Sequence, residues 1–267
     1  MKDPWASLRS FTQARIAQGQ CGSGLPTDAL LDFQLAHAAA RDAVLKPWSP
    51  ENSAASLEAK GHQSLILSTK VLTREQYLLR PDDGRSLSNE SRHFLESMIL
   101  PPVDIALILT NGLSSTAVEA HGVPLIEEIH RSFTVTGFVM APIVLIANGR
   151  VAVADEIGSL LNARMSFIVV GERPGLSAAD SVGAYLTFGP RVGRTDAERN
   201  CISNIRPPDG LSFEEAAIKM VYLCREGLRR GLTGVQLKDD MPAKISHLES
   251  PSASLSSMAM IANDLDA

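Results

Sequence analysis

Three short segments concentrate the side chains that could do chemistry. Asn111-Gly112-Leu113-Ser114 follows an apolar run over 104–109, and Ser114 and Ser115 are placed to cap a helix. The first amides of such a helix could meet an anion or a polar ligand, or the segment could be an ordinary strand-to-helix turn. Gly171-Glu172-Arg173-Pro174-Gly175-Leu176 directly follows the apolar run 167–170. Its glycines permit close backbone approach, and Pro174 stiffens the loop and fixes where Glu172 and Arg173 point. That suits either a ligand contact or an exposed ion pair on a tight turn. Arg199-Asn200-Cys201-Ile202-Ser203-Asn204-Ile205-Arg206-Pro207 is dense in hydrogen-bonding groups and has neither helix nor strand periodicity. Burying it would be costly unless those groups found partners, which an amide-rich ligand would offer. Cys201 has no histidine near it in sequence, so a small packed thiol is favoured over a nucleophile.

Other chemistries lose support. There is no Walker loop, no Gly-x-Gly-x-x-Gly after a strand and no His-Glu-x-x-His. The histidines (His37, His62, His93, His121, His130 and His247) are scattered, and Cys21, Cys201 and Cys224 fit neither a disulfide framework nor a metal site. No catalytic set and no metal ligands are expected in this chain. Its formal charge of -5 is spread without a run of Lys and Arg, so nucleic acid is not an expected partner. The first fifteen residues lack the apolar core of a secretory signal, and the longest apolar stretch, 138–147, contains Pro142 and is too short to span a bilayer. A soluble cytoplasmic protein with no membrane contact is the expectation.

The elements that must position these segments fall into three regions. Residues 1–100 read as an N-terminal helical and connecting region. In it Thr27 is a good N-cap for an Ala-rich amphipathic helix to about Leu45, and 49–92 connects through one or two short helices. Residues 101–240 read as α/β, because short apolar runs at 104–109, 139–147, 167–170 and 182–188 alternate with helical stretches, as parallel strands joined by crossover helices do. Ser212 with Glu215 makes a capping box for a helix that Gly231 ends. Residues 241–267, rich in Ser and Ala, read as a mobile or weakly docked tail. In an open α/β sheet, ligands bind beyond the carboxyl ends of the strands, where all three segments are expected to lie.

Taken together, Ile108-Leu109-Thr110-Asn111-Gly112-Leu113-Ser114-Ser115-Thr116-Ala117, Gly149-Arg150-Val151 with Asp155-Glu156-Ile157-Gly158, the Gly171 loop and the Arg199 segment resemble the small (light) subunit of ethanolamine ammonia-lyase. Tyr77-Leu78-Leu79-Arg80-Pro81-Asp82-Asp83-Gly84-Arg85 and Phe11-Thr12-Gln13-Ala14-Arg15 extend the resemblance over roughly residues 3–238. It implies a Rossmann-like, mostly parallel sheet flanked by helices. It also implies a hetero-oligomer in which a separate large subunit binds ethanolamine and carries the catalytic residues, while this chain helps hold adenosylcobalamin. By matching motif, the implied cofactor contacts are Val151, Glu172 and Cys201. Glu119-Ala120-His121-Gly122 does not match the Asp-x-His-x-x-Gly of proteins that put a histidine on cobalt, so the cofactor's own base is implied to stay there. Some relatives carry a longer N-terminal extension associated with a bacterial microcompartment; this chain starts close to the matched body, which speaks against packaging and leaves open both a free cytoplasmic location and one within a microcompartment. Two other readings compete. One is a stand-alone α/β enzyme using Glu172 and Arg173 with Asp155 or Glu156 for acid–base work, and the other is an interaction module that binds no cofactor.

Overall fold

The computed structural model describes residues 3–241. After an N-terminal arm with one 3₁₀ turn, the elements in chain order are α1 (Thr27–Leu45), α2 (Pro50–Glu58), β1 (Ser64–Ser68), α3 (Arg74–Leu79) and α4 (Asn89–Ser97). There follow β2 (Val103–Thr110), α5 (Ser115–Ala117), a π turn (Val118–Gly122), α6 (Val123–Val135), β3 (Ile143–Ala147) and α7 (Val153–Leu160). The chain continues with β4 (Ala163–Gly171), β5 (Val182–Phe188), β6 (Arg199–Ile205) and α8 (Phe213–Arg230).

One six-stranded sheet in the order β1-β3-β2-β4-β5-β6 separates two apolar cores. Alternation along each strand explains why β2, β3 and β4 read as continuous apolar runs. Ile105, Leu107 and Leu109 of β2 meet α2, α6 and α8 on one face, while Val103, Ala106 and Ile108 meet α4 and α7 on the other. The three-layer α/β architecture expected from the sequence is therefore present, but the sheet is mixed. β1, β3, β2 and β4 are parallel neighbours, whereas β5 is antiparallel to β4 and β6 antiparallel to β5. The cause is local: the stretch between β4 and β5 contains no helix, and a parallel return needs a crossover of a dozen or more residues.

Other departures have equally local causes. Within the expected connecting region, Ser64–Ser68 forms an edge strand paired with β3. β3 starts at Ile143, later than expected, because Pro142 has no N–H to give the ladder. The Arg199 segment, free of apparent periodicity, is β6. Helix α1 has the expected bounds, but Pro26 rather than Thr27 is its N-cap, without a side-chain bond, and only Ala43 along it is buried. The capping box of Ser212 and Glu215 and the left-handed Gly231 stop are both as expected. The expected tail lies, from residue 242 on, outside the described residues. Among the described residues no helix is long and apolar enough to cross a membrane.

Candidate functional site

The chain leaves β2 through α6 on one face of the sheet and β3 through α7 on the other, so the strand order reverses about β2 and a crevice opens beyond the carboxyl ends of β2, β3 and β4. It has a volume of about 410 Å³ and is lined by the three strand-end turns, with Tyr77 of α3 and Tyr185 of β5 as side walls.

The turn after β2 is a structural fixture. Asn111 donates through Nδ2 to Ser115 Oγ (3.1 Å) and accepts through Oδ1 from the Asn148 amide (2.7 Å). Ser114 accepts from the Ala117 amide and donates to the Ala179 carbonyl at 2.7 Å. Both are fully buried, so this segment is the ordinary turn and its cap is spent on the chain itself. Gly112 is required here: it sits at φ +48°, and a Cβ on it would lie 2.2 Å from Val170 Cγ2 and 2.5 Å from the Gly171 carbonyl oxygen.

The floor is clamped by a cationic stack that the sequence did not reveal. Arg74 donates to the Gly112 carbonyl (2.7 Å), to Asn148 Oδ1 (3.0 Å) and to the Val44 carbonyl (2.8 Å), joining the turns after β2 and β3 to the end of α1. The Tyr77 ring lies between two guanidiniums, 4.7 Å from that of Arg74 and 4.2 Å from that of Arg150, and its hydroxyl donates to the Gly149 carbonyl at 3.2 Å. Burial pushes the Tyr77 phenol up and the Arg74 guanidinium down. Val151 stands at the start of α7 and forms part of the crevice wall.

Glu172, one residue past β4, also lines the crevice. Its carboxylate accepts from Ser181 Oγ (2.6 Å), Ser203 Oγ (2.5 Å) and the Asn204 amide (3.2 Å), tying the ends of β4, β5 and β6 together. A carboxylate has about four acceptor positions, so it retains capacity for one more donor from the crevice. Arg173 is exposed at the lip. Cys201 does not line the crevice; it is paired across the ladder with Tyr185, which does. Cys201 is an exposed residue, yet burial of its sulfur pushes the thiol up, with the hydrogen bond to Tyr185 opposing. A thiol kept protonated is a poor nucleophile, which removes the covalent role weighed for it.

The acid–base alternative is overturned by the partners of its carboxylates. Asp155 forms two bonds of 2.7 Å with Arg199, the two side chains being 3% and 2% exposed. Burial pushes Asp155 up, the bonds to Arg199 opposing, and both of its oxygens are occupied by that guanidinium. Glu156 accepts from the Leu87 amide at 2.9 Å and from Arg92 at 2.6 Å. Neither reaches the crevice. His121 is engaged elsewhere as well, 3.3 Å from Asp180 and packed on Phe213.

What this crevice belongs to is decided by comparison with known proteins. The family model described as ethanolamine ammonia-lyase light chain (EutC) matches residues 2–238. The chain belongs to that family. It is 51% identical to the ethanolamine ammonia-lyase small subunit of Ralstonia nicotianae (strain GMI1000), over 89% of each chain. It is 48% identical to that of Pseudomonas fluorescens (strain SBW25), over 93% of this chain and 90% of the relative. The Xanthomonas campestris small subunit is 49% identical over 90% and 89%. Every motif on which the resemblance was drawn, from Phe11 to Arg206, lies within the matched light-chain stretch. As a light chain of an ammonia-lyase, it is part of a lyase.

Proposed function

We propose that this chain is the small subunit of an adenosylcobalamin-dependent ethanolamine ammonia-lyase, working in the cytoplasm, and that its strand-end crevice holds one edge of the cofactor while a separate large subunit covers the rest. The observation that carries this reading is the convergence of Val151 and Glu172, from turns after different strands, on one mouth, with Cys201 paired across the ladder to the wall residue Tyr185.

The donor set fits such a ligand. The periphery of a corrinoid presents amide N–H donors and carbonyl acceptors. Glu172 would accept from the former, Arg173 and the backbone amides of the strand-end turns would donate to the latter, and Val151 with the Tyr185 ring would give apolar contact. Size points the same way. A volume of about 410 Å³ suits a drug-sized ligand, and a corrinoid is far larger, so the crevice can grip an edge only. When bound, cobalamin supplies the radical chemistry; the residues of this chain orient it and keep water from the gripped edge. The four parallel strands and their strand-end crevice play the part that the Rossmann-like expectation gave to such a domain, with the antiparallel pair β5 and β6 bringing Tyr185 and Cys201 to its side.

Mixing the purified chain with the large subunit and titrating cobalamin, followed by visible absorption, tests the reading. Retention of cobalamin by the complex, with ethanolamine deamination absent from either chain alone, is the expected result. Turnover by this chain alone, or a complex that retains cobalamin equally well when Val151 and Glu172 are both replaced by Ala, would overturn it.

A further inference from the structure

Ten of the twenty large apolar side chains left exposed among the described residues fall in residues 3–45, under a fifth of the described length. Single exposed apolar residues are ordinary, but a contiguous set marks a surface that another body covers. Helix α1 shows how the set is arranged. At 3.6 residues per turn, Ala29, Ala36, Ala40, Ala43 and Val44 share one face, and these are its buried and half-buried positions. Leu31, Leu35, Ala38 and Leu45 share the opposite face, where the leucines are 58%, 72% and 53% exposed. The helix therefore has two apolar faces: one mainly of small residues packed on its own chain, and one of Leu31, Leu35, Ala38 and Leu45, at i, i+4, i+7 and i+14, whose leucines are left more than half exposed among the described residues. The N-terminal arm adds Trp5 and Phe11, 67% and 84% exposed, and is joined to α1 through Arg15 and Asp32 at 3.1 Å.

This segment is tied at its C-terminal end and at Gln13 to residues adjoining those that line the crevice. The carbonyls of Val44 and Lys46 accept from Arg74 and Ser115 at 2.8 and 2.6 Å, and the Gln13 carbonyl accepts from Ser177, in the loop that carries Glu172, at 3.3 Å. The arm and α1 are thus hydrogen-bonded to the turns and loop that carry the crevice, which places them beside whatever covers it.

We propose that the outward stripe Leu31, Leu35, Ala38 and Leu45 of α1, with Trp5 and Phe11 of the arm, is a docking surface for the large subunit, seated as an apolar helix in a groove of that chain. The assignment of the occupant rests on the small-subunit reading above. It adds a second grip, independent of the cofactor, and explains why half of the exposed apolar side chains gather beside one rim.

The test is association of the full-length Leu31→Asp/Leu35→Asp chain with the large subunit, measured by sedimentation without cobalamin and again with it. Both leucines are exposed, so the circular dichroism and melting temperature of the isolated chain should match wild type. Association should weaken by roughly thirtyfold or more in both conditions, as truncation of central apolar anchors does. In the wild-type chain, amide hydrogen exchange over residues 27–45 should slow when the large subunit is added, a readout that does not depend on the variant folding. Wild-type affinity of the double variant, or unchanged exchange over 27–45, would overturn the proposal. So would a wild-type homodimer that the substitutions disperse while the hetero-complex persists, since the stripe would then belong to a second copy. Failure of the cofactor reading shows differently: the hetero-complex would form, and the stripe would matter, with no cobalamin retained.

Discussion

Glu172 is the residue on which the cofactor reading can be tested most sharply, and its partners in the structure set what its removal should do. Its carboxylate accepts three bonds from this chain, from Ser181, Ser203 and the Asn204 amide. A bond to a charged acceptor contributes about 1.5–3 kcal/mol when buried. Ser203 and Asn204 are exposed, so water replaces much of what Glu172→Ala removes, and the expected loss of stability is about 1–2 kcal/mol in urea unfolding. A fourth acceptor position remains, and Glu172 lines the crevice, so the cofactor reading assigns that position to a cobalamin amide. Losing a charge-assisted bond there should weaken cobalamin binding by about tenfold or more, the equivalent of about 1.4 kcal/mol. Glu172→Gln keeps the shape and one acceptor oxygen and should fall between wild type and Ala in both measurements. Because the carboxylate also orders the loop, Ser203→Ala is the necessary control: it removes one tie and keeps the charge. Cobalamin titration of the reconstituted complex should rank Ala weakest, Gln intermediate and Ser203→Ala near wild type. Equal affinity of Glu172→Ala and wild type would refute the contact. Equal losses in Glu172→Ala and Ser203→Ala would show that loop order, and no direct bond, carries the effect.

Three further outcomes follow from particular contacts. Asp155→Asn leaves the buried Arg199 guanidinium without its counter-charge and should lower stability by about 3 kcal/mol or more in urea unfolding, whereas Asp155→Leu with Arg199→Met should recover most of that loss. The Glu198 carboxyl is held down to about 2 from an ordinary 4.5 by the Thr195 amide and Arg194, so its stabilisation is present above about pH 4.5 and fades as pH falls toward 2. Glu198→Gln should therefore flatten the acid limb of stability against pH in that window and leave pH 7 to 9 parallel to wild type. Gly112→Ala places a methyl 2.2 Å from Val170 at φ +48° and should lower the melting temperature by an amount equivalent to about 2–4 kcal/mol, with cobalamin affinity falling alongside as the crevice floor shifts.

How much was legible in the sequence depends on whether a residue's role is set by its neighbours in the chain or by its neighbours in the sheet. β2 and β4 could be read because both faces are covered, which makes Ile105 to Leu109 and Phe167 to Val170 apolar throughout. β1 could not: Ser-Leu-Ile-Leu-Ser is a short edge strand with Ile66 44% exposed, and its apolar run is too short to show a period. The motif route led to Val151 and Glu172, but the crevice walls Tyr77 and Tyr185 had no local signal, since each is brought there by an element whose partner lies far away in sequence. β6 is the most instructive failure. Val182 pairs with Ile205 and Ala184 with Ile202, so Gly183 alone on β5 faces both Ser203 and Asn204 on β6 and an extra residue sits between the two buried isoleucines. That bulge replaces the strand period of 2 with a spacing of 3 and hides the strand. It is made at Asn204, whose φ of +58° is the left-handed conformation that asparagine tolerates and a β-branched residue does not, and whose amide reaches Glu172. Asn204→Gly should therefore stay within about 0.5 kcal/mol of wild type in urea unfolding, while Asn204→Val should lose about 1–2 kcal/mol and loosen the Glu172 loop with it. A Val variant as stable as wild type would mean that the left-handed residue does not set the bulge, and that the Ile202 to Ile205 spacing is imposed from α8, on whose side of the sheet both isoleucines are buried.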